Sequence, residues 1–178
     1  MTEAGKMYGG ALYELAAEEG LDEAVLSQLD GVRSLFAEYP AYVKLLAMPS
    51  VPKTDRCAAL DKAFRGQVEP YLLNFLKLLC EKGEIRALPD CAEEYRARYN
   101  QAHGILEATA VSAVPLTGRQ AEALRAKLAA LTGKTIALSS RVDPACLGGV
   151  RLEVGGTQLD GTVQNRLDAL RRRLAATV

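Results

Sequence analysis

The residues of this sequence that could take part in chemistry are few and far apart. The 178 residues include one histidine, His103, and no obvious nucleophile accompanies it to form a triad. A lone histidine of this kind is more typical of a surface or capping position than of a metal ligand. A zinc site needs about four closely spaced nitrogen or sulfur ligands, and the cysteines here form no CxxC pair. We therefore expect reduced, buried structural thiols at Cys57, Cys80, Cys91 and Cys146.

Two Gly-Gly pairs, at residues 148–149 and 155–156, do not form a phosphate-binding loop. Neither belongs to a GxxxxGK[ST] or a GxGxxG pattern. The carboxylates fall on predicted solvent faces of helices, so nothing indicates a buried pair of acids. Aromatic residues make up 6% of the chain and tryptophan is absent, which argues against an aromatic-lined ligand pocket. The sequence predicts no catalytic residue, no metal site and no cofactor.

The remaining charged cluster is the arginine run at residues 171–173. It could contact nucleic-acid phosphate, pair with acidic residues of a partner helix, or simply complement the C-terminal end of its own helix. Residues 1–104 hold 12 Lys/Arg and 16 Asp/Glu, whereas residues 105–178 hold 10 and 6. This asymmetry suggests two modules with different partners, although a chance difference of this size is equally open. A nucleic-acid-binding C-terminal module is disfavoured, because its basic residues are scattered among acidic ones with few aromatics for stacking.

The first 104 residues carry apolar side chains at the 3, 4 spacing of helical faces. Prolines and glycines divide them into six predicted helices, with Gly20 and Gly83 as helix ends and Pro52 and Pro70 as helix starts. The second stripe is Val25, Leu29, Val32 and Phe36, and the sixth begins at Ile85. The helix after Pro70 is apolar nearly all round and must be buried. The short connections favour an up-and-down bundle with antiparallel neighbours.

The pattern changes at residue 105, where β-branched residues replace the helical stripe. We predict strands over residues 105–113, 135–139 and 150–154, a hairpin turn at residues 155–156 and a short returning arm. Thr117 and Gln120 form a capping box for a helix that Gly133 ends, and a last helix carries Val163, Leu167, Leu170 and Leu174. The predicted fold class is α+β: an all-α six-helix bundle over residues 1–104, then a small α/β module over residues 105–178. No apolar run approaches the roughly 20 residues of a membrane span, and no signal peptide is evident, so we expect a cytoplasmic protein.

Three short motifs follow one another near the C-terminus. They are Val-Asp-Pro at residues 142–144, Leu-Gly-Gly-Val at residues 147–150 and Asp-Gly-Thr-Val at residues 160–163. With them, the chain over residues 5–174 resembles the delta subunits of bacterial F-type ATP synthases, the family of the mitochondrial oligomycin-sensitivity-conferring protein. Near the start, Lys-Met-Tyr-Gly at residues 6–9 departs from the family's usual Arg-x-Tyr-Ala, and Gly9 and Gly10 are expected to weaken the first helix by about 1 kcal/mol each relative to alanine. The residues matching the C-terminal motifs are Asp143, Gly148, Gly149, Asp160, Gly161 and Arg166.

The resemblance implies a non-catalytic stator subunit, present in one copy per complex, that couples proton flow to ATP synthesis. Its N-terminal bundle would hold the N-terminal helix of an ATP synthase α subunit between the first and fifth helices, and small residues at Gly10 and Ala11 would admit that helix. Its C-terminal module would bind the C-termini of the peripheral-stalk b subunits. Membrane association would occur only through the complex, at the cytoplasmic face of the bacterial membrane. The groove residues carried over from the family are Tyr8, Ala11, Leu12, Leu15, Phe75, Leu76 and Leu79; the other interpretation is that these residues are bundle core.

Overall fold

The computed structural model describes residues 2–146, 148–155 and 157–161. The chain divides into two compact units, residues 1–99 and 100–178, so the division falls five residues before the predicted boundary. Together the described elements give an α+β protein. The helices are α1 Glu3–Glu18, α2 Asp22–Glu38, α3 Pro40–Leu46, α4 Lys53–Phe64, α5 Pro70–Lys82, α6 Leu88–Ala102 and α7 Gly118–Thr132, with 3-10 turns at Ile85–Ala87 and Pro144–Cys146. The strands are β1 Ile105–Ser112, β2 Thr135–Val142, β3 Val150–Val154 and β4 Thr157–Asp160.

The first unit packs helices α1 to α6 around one hydrophobic core. The stripe predicted on α2 is confirmed, because Val25, Leu29, Val32 and Phe36 are all buried. Helix α5 contributes six buried side chains, which confirms that this apolar segment lies inside the unit. Burying residues of this size stabilises a fold by about 1.5–3 kcal/mol each before entropy is subtracted.

Helix ends follow the predicted chemistry in most places. Gly20 and Gly83 have φ angles of 67° and 78°, the left-handed conformation that only glycine adopts without strain. Pro70 opens α5 as a first-turn residue. The sixth helix starts later than predicted, because Ile85 lies in a 3-10 turn and Pro89, which lacks an N–H, occupies the first turn of α6.

Arg56 on α4 is a buried cation, and the sequence around it does not predict this burial. Its side chain is 6% exposed, and Nη1 donates to the carbonyl oxygens of Leu46 at 2.8 Å and Cys80 at 3.2 Å. These carbonyls lie near the C-terminal ends of α3 and α5, where a helix carries partial negative charge. Arg56 therefore ties three helices together.

The second unit contains a mixed four-stranded sheet in the order β2-β1-β3-β4. Strand β1 pairs in parallel with β2 and antiparallel with β3, which forms a hairpin with β4. Helix α7 packs Leu124 and Leu128 against Ala108 and Ile136 of the sheet. The predicted capping box of Thr117 and Gln120 is present at the start of α7. Strand β2 runs to Val142, three residues beyond its predicted end, because all eight of its residues pair with β1.

The described helices do not reach the dimensions of a membrane span. None of them combines the length and the apolar character that a bilayer crossing demands.

Candidate protein-binding site

A groove lies between α1 and α5 on the surface of the first unit. Each helix contributes residues at i, i+3, i+4 and i+7, so two parallel stripes face each other along its length. This is the pattern by which two helices cradle a third amphipathic helix. The lining residues are Tyr8, Ala11, Leu12 and Leu15 of α1 with Tyr71, Asn74, Phe75 and Leu78 of α5.

The groove has an apolar floor and an apolar rim. Leu12 and Phe75 form the floor at 3% and 6% exposed, whereas Leu15 and Leu78 stand on the rim at 40% exposed each. None of the described residues that line it is charged, and the cavity volume is about 270 Å³. Such a surface offers contact to an apolar helix stripe and provides no partner for a charged side chain.

One end of the groove is bounded by a polar contact between its two helices. The carboxylate of Glu19, which caps the C-terminal end of α1, lies beside the Tyr71 hydroxyl and raises the pKa of that phenol. The hydroxyl therefore stays protonated at neutral pH. This electrostatic effect links the C-terminal end of α1 to the first turn of α5.

The structure brings together five of the seven residues carried over from the family: Tyr8, Ala11, Leu12, Leu15 and Phe75 line the groove. Leu76 and Leu79 do not line it, because both are 0% exposed and lie in the core behind it. Three lining residues were missed: Tyr71, Asn74 and Leu78. They share one stripe with Phe75, because residues 71, 74, 75 and 78 follow the i, i+3, i+4, i+7 spacing that starts at Tyr71.

The opposite face of α1 is closed by α6. A Cβ added to Gly5 would lie 2.5 Å from Cβ of Asp90, and one added to Gly9 would lie 3.0 Å from Cα of Cys91 and still closer to its carbonyl oxygen. Only glycine permits so close an approach of two helices. Besides the expected loss of helix propensity, Gly9 therefore meets a requirement that the sequence did not predict: only glycine fits where α1 packs on α6.

Gly10 also belongs to the closed face rather than to the groove where it was predicted. A Cβ at Gly10 would lie 2.6 Å from Cζ of Arg98. Arg98 Nη1 donates to Glu14 Oε1 at 2.6 Å, and its Nε donates to Glu94 Oε1 at 2.8 Å. The missing side chain of Gly10 leaves room for this guanidinium, which links α1 to α6.

The packing of the closed face shifts the pKa of a thiol by burial and that of a carboxylate by hydrogen bonding. Desolvation raises the pKa of Cys91 to about 11, so its thiol is protonated and unreactive at neutral pH. Hydrogen bonding from Thr2 lowers the pKa of Asp90, whose Oδ2 accepts from the Thr2 N–H at 2.6 Å. Cys80, Cys91 and Cys146 are buried as predicted, whereas Cys57 is half-buried.

The C-terminal motif residues gather at one end of the sheet in the second unit. Asp143 follows β2, donates its N–H to the Ser112 carbonyl at 2.9 Å, and its carboxylate lies 3.9 Å from Nη2 of Arg151. Asp160 ends β4 directly opposite Arg151 in register. The ends of β2, β3 and β4 therefore meet around Arg151.

Glycines allow the backbone turns between these strand ends. The Gly161 N–H donates to the Val150 carbonyl at 3.2 Å, and a Cβ at Gly161 would lie 3.1 Å from that oxygen. Gly149 has a φ of 81°, and the Gly148 N–H donates to the Cys146 carbonyl at 2.7 Å. These contacts give the motif a structural role. Arg166, the run 171–173 and the predicted last helix with Val163, Leu167, Leu170 and Leu174 lie outside the described residues.

Within the described ranges, no group of three or more His, Cys, Asp or Glu side chains is placed to hold a metal ion.

Comparison with known proteins identifies the family. The family model described as ATP synthase delta (OSCP) subunit matches residues 4–174. The chain is 32% identical over 170 residues to ATP synthase subunit delta of Alkaliphilus oremlandii, covering 96% of this chain and 94% of that one. It is 34% identical over 170 residues to ATP synthase subunit delta of a Geobacillus strain, covering 95% of each.

A solved structure shares the fold. A chain of the Toxoplasma gondii mitochondrial ATP synthase hexamer aligns with a TM-score of 0.77 and 21% identity over 98% of both chains. The family model and the two bacterial relatives therefore show that the chain belongs to the ATP synthase delta (OSCP) subunit family, whose members are non-catalytic subunits of ATP synthase.

Proposed function

We propose that this protein is the stator adaptor that joins the catalytic α3β3 head of an F-type ATP synthase to its peripheral stalk. Rotation of the central stalk applies torque to the head, and an anchored head converts that torque into ATP synthesis. The adaptor needs tight binding at both ends and no chemistry of its own. The observation that carries the proposal is the uncharged double-stripe groove between α1 and α5 in a member of this family.

The occupant of the groove is the amphipathic helix at the N-terminus of an α subunit. Its apolar stripe would lie over Leu12 and Phe75, between the rim residues Leu15 and Leu78. Helix-in-groove binding derives its affinity from apolar burial, at about 25 cal/mol per Å², less the cost of association. Ala11 suits this role because its small side chain admits a close helix.

In this proposal helices α1 to α6 form a six-helix up-and-down bundle, in which the closed α1–α6 face fixes one wall of the groove. Gly5 and Gly9 hold α1 against α6, while the other side of α1 faces the partner. A rigid wall lowers the entropic cost of binding, because little of the site must be ordered when the helix arrives.

The second unit is the end that binds the C-termini of the b subunits. Its balance of 10 Lys/Arg to 6 Asp/Glu over residues 105–178 suits acidic or mixed helices. The exposed leucines Leu131 and Leu159, at 83% and 57% exposed, supply apolar contact area. One copy would serve each complex, at the cytoplasmic face of the bacterial membrane, and membrane association would come through the complex alone.

The decisive test uses isothermal titration calorimetry to measure how tightly the full chain binds a synthetic peptide from the N-terminus of the α subunit. We expect Ala11→Asp to weaken binding by at least about tenfold, because it buries an unpaired carboxylate beneath the apolar stripe. The matched control is Ala17→Asp, which places the same charge on an exposed position of the same helix outside the groove. Unchanged affinity in the Ala11→Asp protein would refute the groove assignment.

Membership of the stator is tested separately by co-purification of the tagged protein from its native membrane. Recovery of α and b subunits together supports the adaptor. Recovery of α without b, after gentle solubilisation that preserves the rest of the complex, would contradict the assignment of the second unit.

A further inference from the structure

The first unit holds a second cavity, away from the groove and larger than it. Its volume is about 790 Å³, and it lies between the C-terminal half of α2, the short helix α3 and the 3-10 turn that leads into α6. The floor is formed by Phe36, Ile85 and Leu88, which are 7%, 0% and 1% exposed. The role proposed above for the α1–α5 groove makes no use of this cavity.

The charged residues that line this cavity are all cationic. Arg33, Lys44 and Arg86 line it, and in the described part of the chain no carboxylate does, although residues 1–104 carry 16 acidic side chains against 12 basic ones. Nη2 of Arg33 lies 3.6 Å from Oδ1 of Asp30. Lys44 and Arg86 have no carboxylate within 4.0 Å among the residues that the structure describes. Among the described residues, Lys44 and Arg86 are therefore two cations that lie beside the apolar floor without a carboxylate partner.

The cavity is lined differently from the groove. The α1–α5 groove is lined by two stripes, each running along one helix, whereas this cavity is lined by residues of α2, of α3 and of the turn that leads into α6, among them Pro40 and Pro89. Its volume falls in the roughly 300–1,000 Å³ range of small-molecule sites, which combine an apolar lining with a few charged or polar groups.

We infer that this cavity binds a small amphiphilic carboxylate, with its apolar body on Phe36, Ile85 and Leu88 and its head group at Lys44 and Arg86. A guanidinium and an ammonium provide charge-assisted hydrogen bonds to a carboxylate. A cationic amphiphile would meet the same floor but would be repelled at the head-group position. The site is independent of the stator role.

The test uses the full chain and two C12 probes, dodecanoate and dodecyltrimethylammonium, below their micelle-forming concentrations. We expect calorimetry to show saturable dodecanoate binding and at least about tenfold weaker binding of the ammonium. The exposed pair Lys44→Glu/Arg86→Glu should reverse this preference. Ala37→Trp, which fills one wall without changing charge, should weaken dodecanoate binding by about tenfold.

Ala11→Asp is the matched control, because it alters the α1–α5 groove and should leave dodecanoate affinity unchanged. Equal affinity for both probes would overturn the inference and reduce the cavity to a nonspecific apolar patch. No saturable binding, or full binding by the doubly charge-reversed protein, would also overturn it. So would an acidic amphipathic peptide that occupies the cavity when dodecanoate does not, since that result indicates a protein partner.

Discussion

The two faces of α1 show how one helix meets two different requirements. The face toward α6 has glycines at residues 5, 9 and 10; a Cβ at Gly9 would overlap the backbone of Cys91, whereas a Cβ at Gly10 would meet only the guanidinium of Arg98. The face toward the groove has Tyr8, Ala11, Leu12 and Leu15, which leave an open, uncharged channel. Both faces contain small residues, yet one is packed against α6 and the other lines an open groove. Residue size alone therefore does not tell a closed helix interface from an open one.

The largest predicted effect comes from forcing a side chain into the closed face. Gly9→Val should lower the free energy of unfolding by about 3 kcal/mol, because its Cβ would overlap the backbone of Cys91, which cannot rotate away. Urea denaturation measures the change. The control is Gly31→Ala on α2, where no atom lies within 4 Å of the added Cβ. It should stabilise the protein by about 0.5–1 kcal/mol through helix propensity.

The Cys91 thiol reports on the same contact. Burial raises its pKa to about 11, so at pH 8 it should not react with an aromatic disulfide reagent in the native protein. In Gly9→Val it should react faster. A Gly9→Val protein that keeps both its stability and its unreactive Cys91 would show that the face is not closed.

Gly10→Ala should have a much smaller effect than Gly9→Val, although both glycines lie on the closed face. The atoms that its Cβ would meet belong to the guanidinium of Arg98, the far end of a flexible side chain. Displacing it weakens the ion pairs with Glu14 and Glu94, while alanine gains about 1 kcal/mol of helix propensity. We expect a net change below about 1 kcal/mol by urea denaturation. A loss as large as that of Gly9→Val would contradict the distinction between backbone and side-chain contacts.

On the open face, Ala11→Asp should change the unfolding free energy by less than about 1 kcal/mol, because Ala11 is exposed and only helix propensity is lost. The same substitution is expected to reduce the affinity for the partner helix sharply. Its effect on binding should therefore be large while its effect on stability is small. A parallel loss of both would indicate that Ala11 is part of the core.

The smallest predicted effect is a pH dependence of the stability that Asp90 contributes on the closed face. Asp90 has a lowered pKa in the folded protein, so its contribution to stability is present above the unfolded value of about 3.9 and is lost as pH falls through the lower folded value. The stability difference between the wild type and Asp90→Asn should be constant above about pH 5 and shrink below about pH 4. Urea titrations from pH 3 to pH 7 measure it; a difference that stays constant throughout would remove Asp90 from the contact.

Much of the local structure and part of the groove were predictable from the sequence. The stripe of α2, the left-handed glycines that end α1 and α5, and the capping box of α7 follow from spacing and backbone chemistry within a few residues. The family resemblance gave five of the eight groove positions, but it also gave Leu76 and Leu79. Both residues are apolar and one turn from groove residues, and only the packing of α5 turns them inward.

The sequence by itself determined the order of the described elements, the α+β class and the family, because these depend on local periodicity and short ordered motifs. Tertiary structure alone decided which small residues of α1 are closed and which are open. It also placed Arg56 beneath the ends of α3 and α5, and Lys44 and Arg86 beside one apolar floor. The physical reason is that burial, close approach and charge pairing depend on neighbours distant in the chain, and a spacing pattern along one helix does not name those neighbours.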